Sequence, residues 1–156
     1  MKLEQIAATP ISDLALRDPV RGKPDDTLFQ IVTALREHRR GAAIIEDEGG
    51  RLLGIFTERD LMLRVDHANQ DWHERPVSVY MSRALITVAT NETLSHALDR
   101  MSDGGFRHLP VVGERGRTVG ILSIRDILAH ITEYFPGEFI NLPPGPGHEA
   151  SGRWGG

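Results

Sequence analysis

Two matching heptapeptides, residues 54–60 and 120–126, carry the residues best suited to bind a charged ligand. They read G-I-F-T-E-R-D and G-I-L-S-I-R-D, with a hydroxyl residue at the fourth position and Arg-Asp at the end. The hydroxyl residue is a natural helix N-cap, and the free N–H groups of a helix start attract anions. Arginine adds a fork of donors that suits phosphate, and aspartate offers two acceptor oxygens for a pair of hydroxyls. The spacing therefore indicates a site for phosphate and ribose, the two polar parts of a nucleotide.

The same heptapeptides also have a purely structural interpretation. A carboxylate three residues after an N-cap bonds back to the N–H of the cap, which forms a capping box. A single heptapeptide is explained at least as well by such a box as by a ligand. The occurrence of two copies, each with an arginine before the aspartate, favours ligand binding. Both interpretations stay open, and they are compatible with each other.

The heptapeptides belong to an internal repeat that organises the chain. A shift of 66 residues aligns two segments without a gap, so that Thr27-Leu28 falls on Thr93-Leu94 and Arg59-Asp60 falls on Arg125-Asp126. Repeats of this kind point to one structural unit used twice. We predict two copies, residues 8–66 and 74–132, with a polar linker at 67–73 and a Gly/Pro-rich tail at 133–156.

Each copy predicts the order β-α-β-β-α. The first helix of each copy has apolar residues at helical spacing, namely Leu28, Ile31, Val32 and Leu35 in copy one and Leu94, Ala97, Leu98 and Met101 in copy two. We predict that Asp25 or Asp26 caps this helix in copy one, and Thr90 or Asn91 in copy two. Because about 60 residues make only a marginal core, the copies are expected to pack together in one α+β fold with pseudo-two-fold symmetry.

This arrangement resembles the CBS domain pair, also called the Bateman module, over residues 8–132. Besides the doubled heptapeptide, the strand sequence R-H-L-P-V-V at 107–112 and the segment at 77–81 are similar to that family. The resemblance is to a stand-alone, bacterial-type member. It implies a regulatory, non-catalytic module that binds AMP, ADP, ATP or S-adenosylmethionine between its copies and acts, as a homodimer, on an unknown protein partner. Apolar residues on more than one face of the helix at 61–65 also favour a dimer.

The resemblance implies roles for particular residues. Asp60 and Asp126 match the position that binds ribose hydroxyls, and Thr57 and Ser123 match the position near the phosphate. The other expected ligand-binding residues are Arg59, Arg107, His108, Pro110 and Arg125, with Val20, Ile86 and Val88 beside the adenine. Copy one has G-A-A-I at 41–44 where copy two has R-H-L-P, so the site closed by residues 123–126 is expected to be the better one. A structural dimerisation module without a ligand is the alternative.

Composition narrows the remaining classes of function. The 156 residues carry a net charge of −4, so no basic surface for nucleic acid or anionic membranes is expected. The absence of cysteine excludes thiol catalysis and disulfides. The sequence has no apolar run of membrane-spanning length and no signal peptide, which predicts a cytoplasmic protein. Because no nucleophile elbow, P-loop or metal-binding histidine spacing occurs, we expect neither an enzyme nor a metal site, and no required cofactor.

Overall fold

The predicted α+β fold and its order of elements are confirmed in the computed structural model, which describes residues 3–83 and 86–135. The helices are α1 (Leu3–Ala7), α2 (Leu28–His38), α3 (Glu58–Arg64), α4 (Leu94–Gly104) and α5 (Ile124–Tyr134). The strands are β1 (Val20–Gly22), β2 (Ala42–Glu46), β3 (Leu52–Thr57), β4 (Val88–Ala89), β5 (His108–Val112) and β6 (Thr118–Ser123). Within these ranges no helix has both the length and the apolar character to cross a membrane. Helix α5 continues past the predicted start of the tail, whose residues after 135 lie outside the described part.

The two copies form three-stranded sheets of the same topology. In each sheet the first strand runs parallel to the second, and the second pairs antiparallel with the third. The register is conserved under the repeat, because Ile44 opposes Ile55 and Pro110 opposes Ile121. An irregularity in the ladder also recurs at Ile45/Glu46 and Val111/Val112. The copies are therefore equivalent units, and differences between them can be compared residue by residue.

The predicted N-caps of the first helices were wrong by one to three residues. Thr27 caps α2 in a capping box, because its Oγ1 accepts the N–H of Gln30 and the Gln30 side chain accepts the N–H of Thr27. Asp26 instead accepts the N–H of Lys23, which closes the turn before the helix. In copy two the cap is Thr93, not Thr90 or Asn91, and its Oγ1 accepts the N–H of His96.

Each copy receives part of its core from the segment that precedes the other copy. Ile11 and Leu14 are buried with the apolar residues of α4 and β5 in copy two. Val77 and Met81 are buried with those of α2 and β3 in copy one. The backbone follows the same exchange, since the N–H of Ile11 bonds to the carbonyl oxygen of Glu92 in copy two. A boundary between repeats in the sequence is therefore not a boundary between cores.

Hydrogen bonds connect the two copies at the strand ends that lead into the hairpin turns. The Arg21 guanidinium donates to Glu46 Oε1 at 2.6 Å and to the carbonyl oxygen of Thr118 at 2.9 Å. Arg51 and Arg117 of the two hairpins also form a backbone bridge. Glu46 is buried, and this pairing satisfies its charge.

Candidate functional site

A cavity of about 250 Å³ lies between the copies at the end where α3 and α5 begin. Both copies contribute to its wall. It is lined by Arg17, Pro19, Arg39, Arg40, Gly41, Ala42 and Glu58 of copy one and by Arg107, His108, Ile121, Ser123, Ile124, Arg125 and Asp126 of copy two. Arg17 and Pro19 reach it because the segment before β1 crosses to the other copy.

Ser123 and Asp126 form a complete capping box at the start of α5. Asp126 Oδ2 accepts the Ser123 N–H at 2.8 Å and the Ser123 hydroxyl at 2.6 Å, and the Asp126 N–H donates to Ser123 Oγ. The structural interpretation of this motif is therefore correct. It occupies only one of the two carboxylate oxygens, which leaves the other for a further interaction.

The second carboxylate oxygen of Asp126 faces the segment before β1. Asp126 Oδ1 lies 3.6 Å from the Arg17 guanidinium, beyond hydrogen-bond distance. The Arg17 side chain is 55% exposed and that of Asp126 is 15% exposed, so the carboxylate is largely shielded by the protein while the arginine lies mostly in solvent. An acceptor that is fixed but not saturated is what a pair of ribose hydroxyls requires.

Positive charge dominates the cavity although the whole chain is acidic. Five arginines line it against two carboxylates, those of Glu58 and Asp126. Within the described residues, the guanidinium groups of Arg39, Arg107 and Arg125 form no ion pair or hydrogen bond. Unpaired guanidinium groups around one cavity repel each other and favour an anion with several acceptor oxygens.

His108 lies among these charges at the start of β5. Burial lowers the pKa of His108, and the nearby carboxylates of Glu58 and Asp126 oppose that shift. A methyl group at Gly41 would come within 3.2 Å of His108 Nε2 and 3.3 Å of Glu58 Oε2, so both side chains border the same glycine. Within residues 3–83 and 86–135, no group of three or more acidic or histidine side chains is placed to hold a metal ion.

The edge of β6 is open where the equivalent edge of β3 is closed. The N–H and carbonyl oxygen of Ile55 bond to Ser82 at 3.1 and 2.8 Å. Its counterpart Ile121 lines the cavity, and no described backbone bond joins it to the segment before β1. Pro110 opposes Ile121 on the other side, where a residue without an N–H is tolerated. The Ile121 peptide groups are therefore directed toward the cavity.

The equivalent site in copy one is filled by the protein itself. Asp60 also completes a capping box, but its Oδ1 pairs with Arg64 Nε at 3.2 Å, so both oxygens are engaged. A methyl group at Gly54 would come 2.6 Å from Met81 Sδ and 3.0 Å from the Ser82 carbonyl oxygen. At the equivalent Gly120 the first contact is Leu16 Cδ1 at 3.3 Å. Among the described residues, Met81 thus fills the space beside Gly54 and both oxygens of Asp60 are engaged, whereas Asp126 borders the cavity.

The structure brings together some of the predicted site residues and separates the others. Those that line the cavity are Arg107, His108, Ser123, Arg125 and Asp126. Those that do not are Thr57, Arg59 and Asp60 at the filled site, Pro110 within β5, the core residues Val20 and Val88, and the exposed Ile86. The apolar lining comes instead from Pro19, Ile121 and Ile124.

Sequence reasoning missed the basic residues that copy one adds to the cavity. Arg39 and Arg40 precede β2 as Arg107 precedes β5, and this correspondence was available from the repeat. Arg17 carries no such signal, because the crossing of its segment to copy two is a tertiary feature. Glu58 is also without a signal, since its counterpart in copy two is Ile124.

Comparison with known proteins places both copies in one family. Residues 11–67 and 77–133 each match the CBS domain. An uncharacterized protein of Methanopyrus kandleri is 35% identical over 118 residues, which are 76% of this chain and 60% of that protein. The chain thus spans less than two thirds of that curated relative. A CBS-domain containing protein of Agrobacterium tumefaciens has a similar crystal structure, with a TM-score of 0.72, 36% identity and coverage of 79% of this chain and 99% of that one.

Two further solved structures are similar and contain adenosine compounds. A CBS domain protein of Pyrobaculum aerophilum, complexed with AMP, has a TM-score of 0.67 and 27% identity over 80% of this chain and 99% of that one. A CBS domain pair in complex with 5′-methylthioadenosine and S-adenosyl-L-methionine has a TM-score of 0.69 and 25% identity, with coverage of 79% and 99%. Structural neighbours of this chain therefore bind adenosine ligands.

Proposed function

Because the chain belongs to the CBS-domain family, we propose that its cavity binds an adenosine nucleotide (AMP, ADP or ATP) as a regulatory ligand and catalyses no reaction. The observation that carries this proposal is the pairing of an unsaturated carboxylate with unpaired guanidinium groups in one cavity. Asp126 accepts the ribose hydroxyls, and the arginines bind the phosphate. This is a binding role for a protein inside the cell, where such nucleotides are available.

The open edge of β6 supports the adenosine part of the proposal. The edge of adenine carries a ring nitrogen, which accepts a hydrogen bond, and an amino group, which donates one. A neighbouring peptide N–H and carbonyl oxygen can therefore bond to both. Ile121 supplies these groups, and Pro19 and Ile124 supply apolar surface for the ring. S-adenosylmethionine fits the adenosine contacts but carries a positive sulfonium, so the unpaired arginines disfavour it.

The site spans both copies, which supports a regulatory effect. A ligand that bridges the two halves of the cavity favours one relative arrangement of the copies over others, and a partner protein senses the difference.

We propose that this module acts as a homodimer through α3 and α5. Met62 and its repeat equivalent Leu128 are 75% and 53% exposed on these helices. We expect light scattering to give the mass of a dimer for the parent protein and the mass of a monomer for the variant Met62→Glu. A monomeric parent protein would contradict the proposed dimer but not the proposed ligand binding.

Calorimetric titration of the full chain with AMP, ADP, ATP and S-adenosylmethionine tests the ligand proposal. We expect saturable binding of at least one nucleotide, together with a rise in Tm that grows with its concentration. S-adenosylmethionine is expected to bind more weakly than the nucleotides. Absence of binding by all four compounds contradicts the proposal.

A structural dimerisation module without a ligand is the second candidate, and the complete capping boxes favour it. Ser123 and Asp126 stabilise the start of α5 whether or not a ligand is present. If this is their whole role, the protein forms the dimer and binds none of the four compounds. The grouping of five arginines around one cavity then serves no binding role, which is why we place this candidate second.

A further inference from the structure

The most unusual backbone conformation at the cavity belongs to Arg39. It is the C-cap of α2 and has φ 51° and ψ 51°, the left-handed region. A side chain in this region is disfavoured, and glycine is the usual residue at the end of a helix. The equivalent residue of copy two is a glycine, Gly105, with φ 65° at the end of α4. The same turn is therefore built without strain in one copy and with an arginine in the other.

The backbone hydrogen bonds of this turn do not require an arginine, although a positive charge at a helix C-terminus is favourable in itself. The backbone N–H of Arg39 and that of Arg40 bond to carbonyl oxygens of the last turn of α2, as those of Gly105 and Phe106 bond to the last turn of α4. The Arg39 guanidinium has no partner in the described part of the chain, although it lines the cavity. A strained residue with an unpaired charge at a binding site points to a functional role.

The charge of the cavity indicates what that role is. With His108 neutral, five arginines against two carboxylates leave an excess of three positive charges. The single phosphate of AMP carries about two negative charges near neutral pH, and each further phosphate group adds about one. The excess is therefore matched by a diphosphate and exceeded by about one charge by a triphosphate, whereas AMP leaves about one positive charge, which we attribute to Arg39, unpaired. Building on the proposed function, we propose that Arg39 makes the cavity selective for ADP or ATP over AMP.

The substitution Arg39→Gly tests this proposal because it changes two properties in opposite directions. It relieves the backbone strain, so we expect Tm without ligand to rise by about 2–4 °C. It removes a guanidinium–phosphate contact, so we expect the affinity for ATP to fall about tenfold or more, while that for AMP changes less than about twofold. Arg39→Lys keeps the charge without the fork of donors and is expected to retain part of the preference for ATP.

Arg115→Gly is the matched control. Arg115 also has a left-handed backbone, with φ 61°, but it lies in the hairpin of copy two, away from the cavity. The substitution Arg115→Gly is expected to raise Tm by a similar amount and to leave the affinity for both nucleotides unchanged. Calorimetric titration of the parent protein and the three variants with AMP and ATP provides the measurement.

The outcomes separate this proposal from the proposed function. Selectivity by Arg39 is overturned if the parent protein binds AMP and ATP equally, if Arg39→Gly weakens both equally or neither, or if Arg115→Gly has the same effect. In those cases binding of adenosine nucleotides still stands. If the parent protein binds neither nucleotide, both proposals are overturned.

Discussion

Replacing Asp126 with alanine is expected to lower the affinity for an adenosine nucleotide at least about tenfold, whereas Asp60→Ala leaves that affinity unchanged. Asp126 Oδ1 borders the cavity and its ion-pair partner Arg17 is 3.6 Å away, beyond hydrogen-bond distance, so we expect its loss to remove a charge-assisted hydrogen bond to the ribose. Asp60 Oδ1 already pairs with Arg64, and Asp60 lies outside the cavity. Titration of both variants with ATP measures the difference.

The two variants are matched in their effect on the fold. Each aspartate completes a capping box at the start of a second helix, so each alanine is expected to cost about 1 kcal/mol of folding free energy. Equal unfolding free energies with unequal affinities would separate the ribose contact from the cap. Equal losses of affinity in the two variants would instead contradict the choice of the site beside Asp126 over that beside Asp60. If neither variant lost affinity, both aspartates would act only as parts of helix caps.

Removal of Asp126 also makes the cavity more positive, and this effect has to be distinguished from the loss of a ribose contact. Pyrophosphate has no ribose, so its affinity is expected to rise in Asp126→Ala while that of ATP falls. Asp126→Asn changes the charge in the same way but keeps an acceptor, and it is expected to lose less affinity for ATP than alanine does. A fall in pyrophosphate affinity would show that Asp126 acts by organising the site rather than by binding ribose.

The repeat made the fold predictable, and the comparison of its copies made part of the site predictable. Apolar periodicity placed α2 and α4, because a single buried stripe decides the helix. The heptapeptide placed Ser123 and Asp126 at a helix start that borders a cavity. The caps were missed because Asp26 and Thr27 are neighbouring candidates. The deciding partner, Gln30, is visible only when the residue three positions after each candidate is examined.

What was not predictable depends on contacts between the copies. The segments before each copy pack into the other core, and nothing in the apolar pattern of Ile11 or Val77 says which core receives it. Arg17 therefore reaches Asp126, and Met81 fills the space beside Gly54. Val20 and Val88, which were expected beside the adenine, do not line the cavity for a related reason. Both side chains point to the core side of short strands, and the open edge of β6 lies elsewhere.

Binding of ATP is expected to strengthen as pH falls from about 7.5 to about 6, because His108 takes up a proton when the phosphates arrive. In the free protein, burial holds the pKa of His108 below its usual value of about 6.5, so the ring is neutral at pH 7. An anion in the cavity adds to the effect of Glu58 and Asp126 and raises that pKa. Between the two pKa values the affinity changes by up to about tenfold per pH unit. The other charged residues around the cavity are Arg17, Arg39, Arg40, Arg107 and Arg125.

The variant His108→Gln isolates this effect from the titration of the ligand. ATP has its own proton equilibria, but they are the same for both proteins, so the ratio of the two affinities at each pH reports on His108. Without ligand the linkage has the opposite sign. Because the folded-state pKa is lowered, the unfolded chain binds more protons, and the parent protein is expected to lose stability relative to His108→Gln as pH falls below about 6.5. An affinity ratio independent of pH would show that the phosphates bind away from His108 and would contradict this prediction.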